Sequence, residues 1–277
     1  MSIAPAPVLN SRDVPAHTVC LVLAAALLPV LIVAGYALYV RPEVGIDHFA
    51  WPMRPLINSM MLGATYLGGA SFFVIVLLTR RWRHVRLGFL PISAFAATLG
   101  LATLLHWGVF VHERWSFWVW TFLYFAVPVI LPILWFRNNR LADGEAPIRE
   151  GELSPFVRRS FGVLGVVLTV AALLLFVTPQ VMIATWPWAL TPLTARVMAA
   201  LFILPGLVGL AIAVDGSWAS SRHLLTVQAL TIVLMLGAIV VARADLDWSA
   251  PGSWIFVAGM SGILLLIGYT RLDMRAR

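Results

Sequence analysis

The fold of this chain is decided by stretches such as residues 18–40, which read TVCLVLAAALLPVLIVAGYALYV and carry no charged side chain. A helix needs about 20 apolar residues to cross the hydrocarbon core of a bilayer. This run is long enough to do so, and it exceeds the apolar core of a typical secretory signal. We therefore expect a retained transmembrane helix here.

Seven further runs of the same kind follow along the chain. They lie at about 56–79, 88–110, 116–136, 160–178, 193–214, 223–243 and 252–270. Strands of a membrane barrel would alternate apolar and polar residues over about ten positions, whereas these runs are continuously apolar. The sequence therefore predicts an all-α integral membrane protein with eight transmembrane helices.

The composition agrees with this prediction. The 277 residues are 61% hydrophobic and 11% charged, with a mean hydropathy of +0.93. Soluble domains carry roughly a quarter charged residues, so an ordinary soluble protein and a disordered chain are both excluded. The single cysteine, Cys20, allows no internal disulfide and no cysteine-based metal motif, and we interpret it as a small apolar residue of the first helix.

The arginines predict the orientation. All 19 strongly basic residues are arginine, and they lie between or at the ends of the apolar runs. With a cytoplasmic amino terminus, 14 arginines fall inside and five outside, the five being Arg41, Arg54, Arg114, Arg196 and Arg243. Positive charge near helix ends is retained in the cytoplasm, so we expect a bacterial cytoplasmic membrane protein with both termini inside. The positive charge then needs no nucleic acid partner; the expected partner is the lipid bilayer, with acidic lipid at Arg80–Arg86 as an alternative.

An internal repeat predicts the domain organisation. Trp51-Pro52 followed by Pro55-Leu56 recurs as Trp186-Pro187 followed by Pro192-Leu193, about 136 positions later. We predict two tandem four-helix repeats. Because four spans return the chain to its starting side, the repeats should share one orientation. Their predicted bounds are 1–140 and 156–277, joined by a cytoplasmic linker at 141–155.

The second copy of this motif carries a resemblance. Residues 186–196 read WPWALTPLTAR, a Trp-Pro...Thr-Pro-Leu-Thr-Ala-Arg pattern that resembles uncharacterised eight-helix bacterial membrane proteins. The first copy departs from the pattern at Met53-Arg54 and at Asn58-Ser59. The resemblance implies eight spans, and it carries no activity with it.

Matched helix breakers near the middle of two spans predict a ligand site. Gly68-Gly69 in the second span corresponds to Pro205-Gly206 in the sixth. Matched interruptions in two halves are a pointer to a binding site between them. The candidate ligand-binding residues near the membrane centre are Tyr66, Gly68, Gly69, Ser71, Pro205, Gly206 and Gln228. The alternative is close helix packing through small residues, which membrane helices often use.

Arg196 is a further candidate. It lies within about one turn of Pro192, where the helix dipole is positive and a cation is disfavoured. A partner should offset this cost, and Asp245, Asp247 or a lipid phosphate are the candidates. An anionic substrate is another.

Histidines on the outer side offer a weak metal or haem signal. His106, His112 and Glu113 could supply imidazole and carboxylate ligands. A spacing of six residues does not place two ligands on one helix face, so a salt-bridged loop is the favoured interpretation. We expect no cofactor.

Three functional hypotheses follow. The first is a small-molecule permease or transport-associated protein with a site between the repeats. The second is a noncatalytic scaffold or assembly partner for another membrane protein. The third is a membrane enzyme or redox protein that uses the outer histidines; we favour a protein that is not an enzyme, because the spans hold only neutral polar groups near their centres.

Overall fold

The apolar runs form helices because a bilayer offers no water to the backbone, so each span must satisfy its own hydrogen bonds. The computed structural model describes residues 15–142 and 151–277, apart from the side chain of Val44. In chain order the α-helices of these ranges are α1 (Thr18–Gly35, continued by a π-helical turn at Tyr36–Val40), α2 (Pro42–His48), α3 (Leu56–Thr79), α4 (Trp82–Leu105), α5 (Trp115–Ala142), α6 (Pro155–Val177), α7 (Pro179–Thr185), α8 (Pro192–Asp215), α9 (Trp218–Val241) and α10 (Pro251–Ala276). Eight of them are long and apolar enough to cross a membrane, α2 and α7 being the short exceptions. The prediction of an all-α, multi-pass membrane protein with eight spans is confirmed.

Three spans begin earlier than their apolar runs. α4 starts at Trp82 rather than 88, α6 at Pro155 rather than 160 and α9 at Trp218 rather than 223. The first two turns of each carry arginine, so hydropathy alone excludes them; these residues are Arg83, Arg86, Arg158, Arg159 and Arg222. The helices continue beyond the apolar core because backbone hydrogen bonding is indifferent to side-chain charge, and long arginine side chains can reach toward water.

Helices from the two halves of the chain pack against one another. α3 packs mainly on α1 and α9, while α4 packs mainly on α5 and α8. α6 lies against α8, and α4 also touches α9. α3, α4 and α8 are the most buried spans, whereas α1, α6 and α10 expose most of their surface. The core is therefore shared by both halves, and most of the predicted linker at 141–155 lies outside the described residues.

We call the two ends of this bundle the arginine end and the tryptophan end. The arginine end is where α3 passes to α4 and α8 to α9; the tryptophan end is where α4 passes to α5 and α9 to α10. At the tryptophan end, the indole of Trp188 donates to Asn58 Oδ1 at 2.8 Å, and Asp245 Oδ2 accepts from the amide of Ile57 at 3.0 Å. Side chains of the second half thus satisfy groups at the start of α3, where helix amides have no partner in the helix itself.

Candidate functional site

The residues predicted near the membrane centre lie in unbroken helices. α3 and α8 are α-helical over their whole length, and Pro205 lies inside α8 without ending it. The Ser71 hydroxyl donates to the Gly68 carbonyl at 2.7 Å within α3. Tyr66 is buried, and its hydroxyl lies 2.9 Å from that of Tyr124 in α5. These polar groups are satisfied inside the protein.

The two glycine-bearing segments face different neighbours. A Cβ at Gly68 would lie 1.9 Å from Oγ1 of Thr231 in α9, and a Cβ at Gly206 would lie 2.5 Å from Oγ1 of Thr169 in α6. A Cβ at Gly69 would meet its nearest neighbour in α1, at an ordinary 3.6 Å. The structure does not bring the segments together. Each instead allows a close approach of two helices, the role that small residues commonly have in membranes.

Gln228 lies on α9, one turn before Thr231. Residues three apart occupy the same side of a helix, so Gln228 lies on the side of α9 that meets α3. Its Oε1 is buried and accepts no hydrogen bond from the described residues. Gln228 thus lies one turn from Thr231, the residue that meets Gly68, whereas Gly206 faces α6.

Arg196 has partners other than those expected. Its Nη1 lies 2.7 Å from Nε2 of His106, and its Nε donates to the Phe176 carbonyl at 3.1 Å. The guanidinium also lies 5.7 Å from the centre of the Phe176 ring. Asp245 is engaged by α3, and Asp247 accepts from Ser249. Because an arginine only donates, His106 accepts through Nε2 and carries its proton on Nδ1.

The environment of His106 explains this choice of partner. Burial lowers the pKa of His106, and the neighbouring charge of Arg196 lowers it further. A neutral imidazole is an acceptor, which suits a cation held at the start of α8. The contact also joins α4 to α8, so Arg196 ties together helices from the two halves.

The three weak metal candidates do not form a cluster. His106 is occupied by Arg196, the His112 ring packs against Trp107 and Phe117, and Glu113 is exposed. Within residues 15–142 and 151–277 no group of three or more His, Cys, Asp or Glu side chains is arranged to hold a metal ion.

A polar cavity lies at the arginine end, and we call it the arginine pocket. Its volume is about 500 Å³. Its lining residues are Arg83, Arg86, Gly151, Glu152, Arg158, Asp215, Gly216, Ser217, Ala219 and Ser220. They come from the start of α4, the segment that leads into α6, the start of α6, the end of α8 and the start of α9. Local sequence patterns do not reveal the pocket, because these positions are far apart in the chain. The available signal is a lone carboxylate, Asp215, at the end of a span.

Arg158 is held in the pocket by the end of α8. Its Nε donates to the Ala213 carbonyl at 3.0 Å, and its Nη2 lies 3.3 Å from the Val214 carbonyl. These carbonyls belong to the last turn of α8, where helix carbonyls lack partners and a cation is favoured. Gly216 follows with φ +67, and a Cβ there would lie 2.9 Å from Cζ of Arg158. The left-handed backbone favours glycine here, and a Cβ would displace the Arg158 guanidinium from its present position.

Asp215 faces the pocket from the last residue of α8. Its Oδ1 accepts from Nη2 of Arg86, so a residue of the first half pairs with one of the second. The Asp215 side chain is only 10% exposed. Its other oxygen, Oδ2, is buried and has no hydrogen-bond partner within the described ranges. A buried carboxylate oxygen without a donor is unfavourable and calls for a partner.

The start of α9 adds positive potential. Its N-cap, Ser217, makes no side-chain capping hydrogen bond, and the Trp218 amide donates to the Gly151 carbonyl. The next two amides, of Ala219 and Ser220, lie in the first turn, where no intrahelical carbonyl is available to them. Among the described lining residues, three arginines outnumber Asp215 and Glu152. Such a cavity is suited to an oxyanion.

A second hollow is larger but less suited to a ligand. It measures about 680 Å³ and lies along the last turns of α5. Its described lining is Ile133, Phe136, Arg137, Arg140 and Leu141, all from one helix. The arginine pocket is lined by several elements and is therefore the candidate site.

Comparison of the chain with protein-family models, with curated proteins and with solved structures finds no match.

Proposed function

We propose that the chain consists of two tandem four-span units in one orientation, with both termini in the bacterial cytoplasm. α3 and α8 are each 24 residues long, as are α4 and α9, and the second member of each pair begins about 136 positions after the first. Antiparallel bridges at Pro15–Arg81 and at Glu152–Ser217 occupy corresponding places in the two units. The excess of arginine at one end supports a cytoplasmic arginine end.

We propose further that the protein is transport-associated and binds a small anion in the arginine pocket. The observation that carries this proposal is the convergence of Arg86, Arg158 and the start of α9 around one cavity of about 500 Å³. Arginine guanidinium groups and helix amides are the groups that proteins use to hold oxyanions. In this proposal the site lies where the two units meet at the arginine end, whereas the sequence predicts a site near the membrane centre.

Anion titration of the purified protein tests this proposal. Protein in detergent, in a chloride buffer, is titrated calorimetrically with potassium phosphate and with potassium sulfate. We expect saturable binding of at least one anion and a loss of about tenfold or more in affinity on Arg158→Gln, because a charge-assisted contact is removed. Arg159→Gln is the matched control, since Arg159 is the exposed neighbour of Arg158 on α6.

Two outcomes would contradict the proposal. One is that neither anion binds the wild-type protein. The other is that both arginine variants weaken binding equally, which would indicate a general surface-charge effect. Proteoliposomes that carry the protein then separate roles: uptake of labelled anion identifies a permease, while binding without flux identifies an anion receptor that serves another membrane protein.

A noncatalytic scaffold is the second candidate. It is favoured by the closed packing at mid-membrane, where Gly68 and Gly206 each meet a threonine of a neighbouring helix. Two results together would support this role. The wild-type protein would bind no anion, and mutations at the tryptophan end would abolish co-purification of a membrane partner.

A further inference from the structure

We infer that the arginine pocket selects a phosphate group that still carries a proton. This inference rests on the proposed anion-binding function and adds the chemical class of the ligand. The residue that decides it is Asp215, a nearly buried acid in a cavity whose other charged residues are three arginines and Glu152.

Asp215 presents an acceptor to the pocket. Its Oδ1 is taken by Arg86, while Oδ2 is buried and unpartnered among the described residues. An ionised carboxylate has no hydrogen to give, so Oδ2 can only be satisfied by a donor. The side chain is nine-tenths buried, so bulk water has little access to it. Arg86 Nε is also buried without a partner among the described residues. We infer that a ligand in this pocket brings an O–H or N–H group to Oδ2 and an acceptor oxygen to the Arg86 guanidinium.

The rest of the lining requires negative charge on the same ligand. Arg158 and Arg86 present guanidinium groups, and the first turn of α9 presents amides. Guanidinium forks match the oxygen pairs of phosphate, and helix N-termini favour it electrostatically. A tetrahedral oxyanion with one protonated oxygen meets both demands, since its bare oxygens accept from the arginines and its hydroxyl donates to Asp215.

This chemistry separates phosphate from sulfate. Inorganic phosphate keeps at least one proton at neutral pH, and phosphate monoesters keep one below their second pKa of about 6. Sulfate and phosphodiesters carry none, so one of their oxygens would face the lone pairs of Asp215 across a buried gap. Two buried oxygen acceptors that face each other with no proton between them are unfavourable. We expect this to lower the affinity for such anions by about tenfold or more.

The Gly216–Arg158 arrangement limits the site to the second unit. At the corresponding place in the first unit the left-handed residue is Arg80, with φ 52, and the position that corresponds to Arg158 is Leu21. A guanidinium cannot lie against a residue with a side chain as it does against Gly216. The tandem units are therefore not equivalent here, and we expect one hydrogen-phosphate site per chain.

Anion selectivity tests the inference. Wild-type protein in detergent is titrated at pH 7 with phosphate, arsenate, sulfate and selenate, the first two of which carry a proton. We expect phosphate and arsenate to bind with similar affinity, at least about tenfold more tightly than sulfate and selenate, at one site per chain. Asp215→Asn should reduce this preference to less than about threefold, mainly through a gain in sulfate affinity, because an amide can donate to a bare oxygen. Asp273→Asn is the control, since Asp273 pairs with Arg277 at the same end of the bundle and does not line the pocket.

The outcomes separate this inference from the proposed function. If no anion binds, the proposed function fails. If all four anions bind equally to the wild-type protein, the proposed function stands and the proton-selective site is overturned. The four-anion comparison needs no variant, so it decides the matter even if Asp215→Asn does not fold.

Two lipid arms identify the source of the phosphate group. At about pH 5.5, where a phosphate monoester still carries a proton, the protein is placed in nanodiscs that contain either phosphatidic acid, a monoester, or phosphatidylglycerol, a diester. If phosphatidic acid displaces labelled phosphate and phosphatidylglycerol does not, the result supports a hydrogen-phosphate site that a lipid headgroup can fill. Equal competition by phosphatidylglycerol would overturn the selectivity for a proton.

Discussion

Replacement of Gly68 by alanine tests whether the helix breakers at mid-membrane exist for packing. A Cβ at Gly68 would lie 1.9 Å from Thr231 Oγ1 and 3.1 Å from Thr231 Cβ, far inside van der Waals contact. Relief requires α3 and α9 to separate or Thr231 to leave its rotamer, and overpacking of this kind costs about 1–3 kcal/mol. Gly69→Ala is the matched control, because the nearest atom would lie at an ordinary 3.6 Å and alanine is the better helix former.

The assay is unfolding of the purified protein by SDS titration or by heat. We expect Gly68→Ala to lower stability and Gly69→Ala to leave it unchanged or raise it slightly. In the double variant Gly68→Ala/Thr231→Ala the close contact with Oγ1 is gone, so most of the loss should be recovered. The close-packing interpretation would be refuted if the two glycine variants were equally stable, or if the double variant recovered no stability. Either result would favour a site at the membrane centre.

Three further predictions concern the tryptophan end and the topology. The folded pKa of His106 lies below its ordinary value of 6.5, so the stability that its neutral form provides is complete above pH 6.5 and is lost as pH falls through the folded pKa. The melting temperature should therefore fall from pH 7.5 to pH 5 more steeply in the wild type than in His106→Gln, and Arg196→Leu should flatten the same profile. Asp245→Ala removes the acceptor at the start of α3 and should cost about 1 kcal/mol in unfolding experiments, whereas Asp245→Asn should retain part of it. In intact cells an impermeant thiol reagent should label Ala244→Cys and spare Ala276→Cys, and the opposite labelling would reverse the proposed orientation.

Arginine has two separable roles in this protein. Most arginines lie at one end of the spans, where positive charge supports a cytoplasmic location. Arg86 and Arg158 also line a cavity and contact the end of α8 directly. A count of arginines therefore predicts the topology but does not reveal the pocket, because the pocket arginines lie at the same end of the spans as the others.

The amino-acid sequence by itself determined the class of fold and the number of spans. Eight continuous apolar runs admit little else, because a bilayer forces every span to satisfy its own backbone hydrogen bonds. The sequence also located the glycines and Arg196, but it did not identify their partners. Hydropathy placed the starts of α4, α6 and α9 too late, because their first two turns carry arginine although the backbone is already helical.

Only the tertiary structure decided which residues meet. It places Thr231 against Gly68 and Thr169 against Gly206, so the matched breakers face separate interfaces. It also gives Arg196 a neutral histidine as its partner rather than a carboxylate. These pairings depend on how α4, α6, α8 and α9 cross, which local sequence does not encode. The arginine pocket arises for the same reason: its side chains come from segments far apart in the chain, and packing of the helix ends brings them around one cavity.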